Sequence, residues 1–342
     1  MENVAQESDS AVAVIAKALR WVSEGYEVAL ASVVSAWGSA PRQVGSIVAI
    51  NNRGAFCGSV SGGCVETSVI QEALEAMSDG APRTLVFDVS DETAWSVWLA
   101  CGGKITVRID PITGPGSFWI DLYKSVVQSL EQRRSCFLIT DMANGRAELF
   151  DSAQSAAKAL QALGLGMSMN QSGVYGAAGQ EKFLNVFQPP SRLIVLGGVH
   201  IAQMLVPMAQ LAGFEPIVVE RRGAFAASSR FPGMQILVQR ADQAIAALAP
   251  DARTAVVALT HNPELDDPGL IAALASPAFY VGALGSRRTQ EQRRARFLEG
   301  GVEAQSLDRL HAPIGLSIGA STPAEIAVSI LAQIIARLRG KC

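Results

Sequence analysis

Residues 193–206 read LIVLGGVHIAQMLV, an apolar strand that runs into a glycine turn and then into an apolar helix. Strand, tight turn and helix in that order open a dinucleotide-binding unit. The turn of such a unit, G-x-G-x-x-G/A, uses its first glycine for the bend, its second for close approach to a pyrophosphate and its third for helix–strand packing. Gly197 and Ala202 fill the first and third places, whereas Val199 stands in the second and the spare glycine is shifted to Gly198. The branched Val199 side chain is expected to project where a pyrophosphate lies, which counts against ordinary NAD(P) binding. Glu220, about 20 residues on at the end of the next strand, keeps the place of the acid that holds a ribose hydroxyl. His200 opens the helix, where backbone amides and the dipole favour an anion. On these residues alone, altered nucleotide binding and an inherited turn that binds none stand level.

Working outward, EPIVVE (215–220), MQILV (234–238), TAVVALT (254–260) and FYVGALGS (279–286) are apolar strands, with a helix near 268–275 between the last two. Buried strands alternating with helices imply a parallel, doubly wound sheet covered on both faces. The last helix has a readable start: Thr322 as cap, Pro323 in the first helical position and Glu325 completing a capping box. His261, in LTHNPELD, and Gly285, Ser286 and Arg287, in GALGSRRT, each follow a strand, at the edge where doubly wound folds bind ligands. Arg287 or Arg288 suits a phosphate, while Arg293, Arg294 and Arg296 read as a solvated helix face or a partner surface. A lone histidine such as His261 is equally a structural residue.

The N-terminal half has a different grammar. Val12, Ile15, Ala16, Leu19 and Val22 form a helical stripe over 10–24, followed by strands at 27–36 and 47–50, a hairpin through NNRG (51–54) and a helix from about Cys64 to Met77. Strands at 84–89 and 104–109, a helix at 117–132 and strands at 136–140 and 147–150 complete an α+β pattern; residues 151–182 are too weakly patterned to assign. FQPPSR (187–192) reads as a linker. The expected organisation is therefore an N-terminal α+β domain, 1–187, followed by a Rossmann-like doubly wound parallel-sheet domain, 188–342.

Two loops in the first half carry chemistry. CGSVSGGCVE (57–66) sets three glycines and two serines before a helix. Gly62 and Gly63 permit an anion-binding nest, Ser59 and Ser61 add donors, and Cys64 falls in the first helical turn, where the dipole favours its thiolate; Glu66 ends the string. A tight turn around a small buried cysteine is the plainer reading. ACGG (100–103) presents Cys101, Gly102 and Gly103. Thiols brought together by folding would bind a soft ligand, oxidise or serve as core, and the residues do not choose among these. Arg42, after Pro41, is a forked partner for phosphate or a ring edge, or else a solvated surface residue.

Composition narrows the classes. The chain has 342 residues, 49% of them hydrophobic, and a formal net charge of −3, with neither the basic footprint of a nucleic-acid binder nor a basic flank for a membrane surface. Residues 193–214 carry no formal charge and are long enough to span a bilayer, but Gly197, Gly198, His200, Gln203, Pro207 and Gln210 suit a soluble sheet better. The N-terminus has no secretory pattern, so a cytoplasmic protein is expected. Five cysteines without a C-x-x-C pair indicate neither a disulfide framework nor a zinc site.

Taken together, GSAPRQVGSIVAI, GSVSGGCVE and CGG in the first half, and PPSRLIVLGGVHIA, LTHNPELD, YVGALGSRRT and APIGLSIGASTPAEIAVSILAQI in the second, resemble the xanthine dehydrogenase accessory (XdhC) and carbon monoxide dehydrogenase maturation (CoxI) family. The resemblance implies a chaperone rather than an enzyme. Its cargo would be molybdenum cofactor, as molybdopterin or its cytosine dinucleotide, held during sulfuration by a cysteine desulfurase partner and delivered to an apo molybdenum hydroxylase of the xanthine dehydrogenase type; a homodimer fits the same resemblance. The glycine–serine loop and Arg42 would then meet the cofactor phosphate, and Cys64 and Cys101 the molybdenum. The chain departs from the family pattern at Gly197-Gly198-Val199-His200, where G-A-G-H is usual, and at Glu220, where aspartate is frequent. An NAD(P)-linked oxidoreductase with a cysteine-containing active site is the alternative from another class.

Overall fold

The hydroxyl of Ser10 accepts the amide of Ala13 at 3.3 Å and so starts helix α1 (Ala11–Ser23), which turns Val14, Ile15, Ala18 and Trp21 inward. The computed structural model describes residues 10–38, 42–63, 65–89, 103–114, 117–163, 165, 171–177 and 179–341. The chain divides into two compact units, residues 1–189 and 190–342.

Unit 1 holds two antiparallel sheets. The first runs in the order β3 (Phe56–Gly58), β2 (Ile47–Asn51), β1 (Val28–Gly38), β5 (Gly103–Pro111), β4 (Arg83–Val89). The second runs β7 (Ala147–Phe150), β6 (Cys136–Asp141), β9 (Lys182–Phe187), β8 (Gly173–Tyr175). Helix α2 (Glu66–Asp79) covers one face of the first sheet through Val69, Ala73 and Ala76. Its other face packs Val28, Leu30 and Ala49 against α1 and α3 (Trp119–Glu131), and Cys136, Leu138 and Phe187 of the second sheet close that same core. Arg108 of β5, 2% exposed, bonds both carboxylate oxygens of Asp110 and donates to the Met142 carbonyl at 2.9 Å, stitching the first sheet to the β6–β7 turn. Helix α4 (Ala153–Ala162) and β9 lie within or beyond the stretch whose sequence is too weakly patterned to assign: α4 buries only Ala156 and Leu160, too short a stripe to stand out.

Unit 2 is a six-stranded parallel sheet, β12 (Gln235–Leu237), β11 (Glu215–Val219), β10 (Arg192–Leu196), β13 (Thr254–Ala258), β14 (Tyr280–Ala283), β15 (Leu310–His311). Strand order reverses between β10 and β13, the topological switch point of a doubly wound fold. One face carries α5 (His200–Leu211) and α10 (Pro323–Leu338); the other carries α6 (Ala241–Leu248), α7 (Pro263–Leu274) and α8 (Arg287–Glu299), with a short α9 (Ala304–Leu307) preceding β15. The expected fold class is the observed one, and the Thr322–Glu325 capping box is formed in full. Helix α7 departs from the sequence reading: it begins at Pro263, capped by the Asn262 side chain, and carries Pro268 inside it. The single helical bond lost at Pro268 is offset by burial of Gly269, Leu270 and Ala273. No helix among the described residues is long and apolar enough to cross a membrane.

One buried charge cluster of this unit sits between α7 and α8. Arg293, 1% exposed, donates to Asp267 Oδ1 at 3.2 Å and to Gln290 Oε1 at 2.5 Å, and lies 3.7 Å from Asp266 Oδ2. Burial raises the Asp266 pKa, and Oδ2 has no hydrogen-bond partner. Removing the cation would leave the buried Asp266 carboxylate without its Arg293 counter-charge, while Asp267 keeps Arg296 at 2.7 Å. Arg293→Ala is therefore expected to destabilise unit 2 by about 3–5 kcal/mol, read as a lower urea midpoint; a change below about 1 kcal/mol would show that the pair is not structural.

Candidate functional site

The register of the first sheet brings the loops that follow β1 and β3 together at the start of β2. Ser32 of β1 faces Ile47, where β2 begins, so Ser35–Gly38 run past β2 and pair with β5 alone, ending with Gly38 opposite Gly103. Strand β3 ends at Gly58, opposite Val48 and so level with Ala31 of β1, where β2 begins. The chain returns from β1 through Arg42 to β2 and leaves β3 into the glycine–serine loop at that end of β2. Cys64, Cys101 and Gly102 lie outside the described residues. Gly103 is the first residue of β5, and Arg42 reaches the neighbouring loop, its Nε donating to the Ser59 carbonyl at 3.1 Å.

The glycine–serine loop is a nest, but its anion is its own. Glu66, 7% exposed at the start of α2, accepts the amides of Val60 (3.3 Å), Ser61 (3.0 Å), Gly62 (3.2 Å) and Gly63 (2.9 Å). The Ser59 hydroxyl donates to it at 2.7 Å, and the Ser61 hydroxyl makes a second, shorter bond. Burial pushes the Glu66 pKa up; the Ser61 and Ser59 hydroxyls and the amides outweigh it and bring the group down to about 2. This corrects the expectation for Ser59, Ser61, Gly62 and Gly63. The amides read as a phosphate cradle are spent on a carboxylate of the chain, because Glu66 is tethered there and a free anion is not. Gly63, at φ +123°, provides the backbone turn that makes this possible. Helix α2 begins at Glu66 with Val65 as its N-cap, and the Val65 amide donates to Ser61 Oγ at 3.0 Å.

Beside this loop lies a polar cleft of about 240 Å³, bounded by Ala11, residues 42–47, Ser172 and Val186. Arg42 is its charged wall, and Gln43, Ser46 and Ser172 add donors and acceptors. Only Arg42 was legible from sequence; Ser172 sits in the unassigned stretch and is placed by its bonds to Asn185 Oδ1 (3.2 Å) and the Val186 amide (2.9 Å). Cys57 and Cys136 are buried, and burial pushes the Cys136 thiol up to about 11, too high for a reactive thiolate.

In unit 2, the loops after β10, β13 and β14 follow neighbouring strands, so His200, His261 and Arg287 share one sheet edge, all three exposed. His261 holds φ +61°, an uncommon conformation for a non-glycine residue. Gly285 precedes Ser286, whose hydroxyl caps α8 by accepting the Thr289 amide at 3.2 Å. The turn itself is closed. Glu220, 2% exposed, accepts the Gly198 amide at 2.9 Å, the Arg222 amide at 2.8 Å and the Arg222 guanidinium at 2.6 and 2.9 Å. Burial raises its pKa, but the Arg222 and Gly198 bonds prevail and hold it below the usual range. A Cβ on Gly198 would meet the Phe225 carbonyl oxygen at 2.5 Å, so the chain after β11 folds directly against the turn. The Arg222 guanidinium lies 4.0 Å from the Phe225 ring centre and pins that segment. Two expectations are corrected: Glu220 is not open to a ribose, and Val199 is half-buried against the core of unit 2. Phe225, which no sequence signal marks, supplies the obstruction instead. What space remains beside Gly197, Glu220 and Thr260 is a groove of only about 20 Å³.

Fold and site together define a two-unit α/β protein in which a Rossmann-like sheet with an internally satisfied turn accompanies an antiparallel domain with a loop cluster at one edge. Residues 193–334 match the XdhC Rossmann domain and residues 21–88 the XdhC and CoxI family, together more than half of the chain. The chain belongs to the XdhC and CoxI family. It is 28% identical over 318 residues to the molybdenum cofactor insertion chaperone PaoD of Escherichia coli, covering 93% of this chain and 85% of that protein. It is 29% identical over 328 residues to a Bacillus subtilis protein named as a probable xanthine dehydrogenase subunit, covering 90% of this chain and 92% of that one. The crystal structure of a Bacillus halodurans protein described as a xanthine dehydrogenase shares the fold, with a TM-score of 0.76 over 98% of this chain and 97% of that one at 24% identity.

Two outcomes follow from the carboxylate locks. The Glu66 contribution is present above about pH 4.5 and is lost as pH falls towards about 2, because the folded-state pKa lies below the ordinary one. Glu66→Gln is expected to cost unit 1 about 3 kcal/mol at pH 7 in urea denaturation, with the gap to wild type narrowing below pH 4; a gap independent of pH would refute the assignment. For the closed turn, Val199→Gly is expected to leave NAD(H) affinity within about twofold of wild type in calorimetry, whereas a tenfold gain, roughly 1.4 kcal/mol, would return the obstruction to Val199.

Proposed function

We propose that this chain is a molybdenum cofactor carrier that serves maturation of an apo molybdenum hydroxylase of the xanthine dehydrogenase type. The cofactor, molybdopterin or its cytosine dinucleotide, is cargo. It is held while a cysteine desulfurase partner supplies the terminal sulfido ligand and is then passed on, with no bond made or broken by the carrier's own side chains. A cytoplasmic homodimer is the form in which we picture it acting.

The observation that carries this reading is the polar cleft walled by Arg42, whose guanidinium also reaches the glycine–serine loop through the Ser59 carbonyl. The cofactor joins a polar ring, an anionic arm and a soft metal. In this reading the cleft takes the phosphate, with Arg42 supplying charge and Gln43, Ser46 and Ser172 the hydrogen bonds. The Glu66 lock holds the loop beside it, and Cys64 and Cys101 are the thiols we assign to molybdenum, since soft ligands suit it. His200, His261, Gly285, Ser286 and Arg287 form a second polar edge on unit 2, assigned to cofactor contact or to docking of the recipient. The names of the two relatives, one an insertion chaperone and the other part of a dehydrogenase, support the same direction.

Chain purified anaerobically from cells that make the cofactor is expected to carry sub-stoichiometric pterin, released as a fluorescent product by acid–iodine oxidation. Arg42→Ala should lower that content severalfold without unfolding unit 1. Absence of pterin above a control protein, both in such preparations and after mixing with free cofactor, would overturn the carrier reading.

A further inference from the structure

Beyond β2, the overhang of β1 carries Trp37, which is 78% exposed and the most exposed large hydrophobic side chain among the described residues. A tryptophan left in water forgoes the large burial that ordinarily places it in a core. Its position is specific. The register sets Trp37 opposite Lys104, and Leu30 opposite Asp110, so strand alternation puts Trp37 on the same face as Leu30. That is the face on which α1 packs, and Ala11 of α1 also borders the Arg42 cleft. Indole and cleft therefore open to the same side of the sheet.

Their separation is set by the strand. Val33 donates to the Ser46 carbonyl at 2.9 Å and accepts the Gly45 amide at 2.8 Å, which fixes the cleft wall beside Val33. Because β1 is bulged between Val33 and Ser35, the stretch from there to Trp37 spans three residues of β5, Val107 to Lys104, about 10 Å at the rise of a strand. A fused pterin with a phosphate-bearing arm bridges such a span. A flat apolar surface at one end and a guanidinium at the other match the two ends of that molecule, since ring systems stack on aromatic side chains and phosphates pair with arginine.

We propose that Trp37 is the platform on which the pterin ring of the cofactor stacks, with the phosphate directed into the Arg42 cleft; this rests on the carrier reading above. Stacking orients the cargo, which charge alone does not, because a phosphate held only by Arg42 leaves the ring free to rotate. It also gives a use to an indole that the fold itself leaves in water.

The test titrates molybdopterin, released from a purified molybdenum hydroxylase and kept anaerobic, into the full-length wild type, Trp37→Ala and Trp37→Phe. Tryptophan emission and retained pterin are read together. The expected result is wild-type binding with quenching, affinity about tenfold weaker in Trp37→Ala, and affinity within about threefold of wild type in Trp37→Phe, with part of the quenching lost. Equal affinity in wild type and Trp37→Ala would overturn the platform while leaving the carrier reading intact. So would a Trp37→Ala variant that binds normally but fails to activate its hydroxylase, which would make the indole a protein contact. A wild type that binds no pterin would overturn both.

Discussion

Four backbone amides and two serine hydroxyls converge on the carboxylate of Glu66, and the arrangement of the whole sheet edge depends on that convergence. A loop with three glycines has little reason to keep one shape, because each glycine gives up more conformational freedom on folding than other residues do. One buried acid supplies the reason. With the loop fixed, the Ser59 carbonyl becomes a fixed acceptor for Arg42, the charged residue of the polar cleft.

Unit 2 applies the same physics to a different end. Glu220 fills the amide position of the turn after β10, and Arg222, held over Phe225, closes it from outside. In both units an amide cluster of the kind that receives phosphates is satisfied by an internal carboxylate, so the backbone carries its anion from the start. The two cases differ in what is left over. In unit 1 a cleft remains beside the lock, with an arginine on its rim; in unit 2 the remaining groove is less than half that size and faces a closed turn.

The parts of this architecture readable in sequence are those set by short-range rules. The capping box of α10 and the alternation of apolar strands with helices each depend on residues within a few positions of one another, and each is found as read; α1 forms where expected, but the face it buries is Val14, Ile15, Ala18 and Trp21, sharing only Ile15 with the expected stripe. The candidate residues were also legible as types: Arg42, the serines and glycines of the loop, His261 and Arg287 stand where loops leave strands. Their partners were not. That Glu66 turns back on its own loop, that Phe225 seats its carbonyl on Gly198, and that Ser172 joins a cleft with Arg42 are consequences of tertiary contact, and no local pattern encodes them. The missing second glycine of the turn pointed to Val199, but Val199 turns towards the core, and the segment that folds against the turn lies more than twenty residues on.

The parallel sheet of unit 2 ends on strands of three residues on one side and two on the other, β12 and β15. Beyond the second, Pro313 contributes no amide donor, and the His311 ring lies flat on Tyr280 at 4.6 Å. Open sheet edges recruit other chains by strand addition, the usual beginning of aggregation, and edges this brief present too few donors and acceptors to template one. Any self-association of this unit has therefore to be built from side chains on its helical faces, and the sheet can remain at high concentration without a propensity to polymerise.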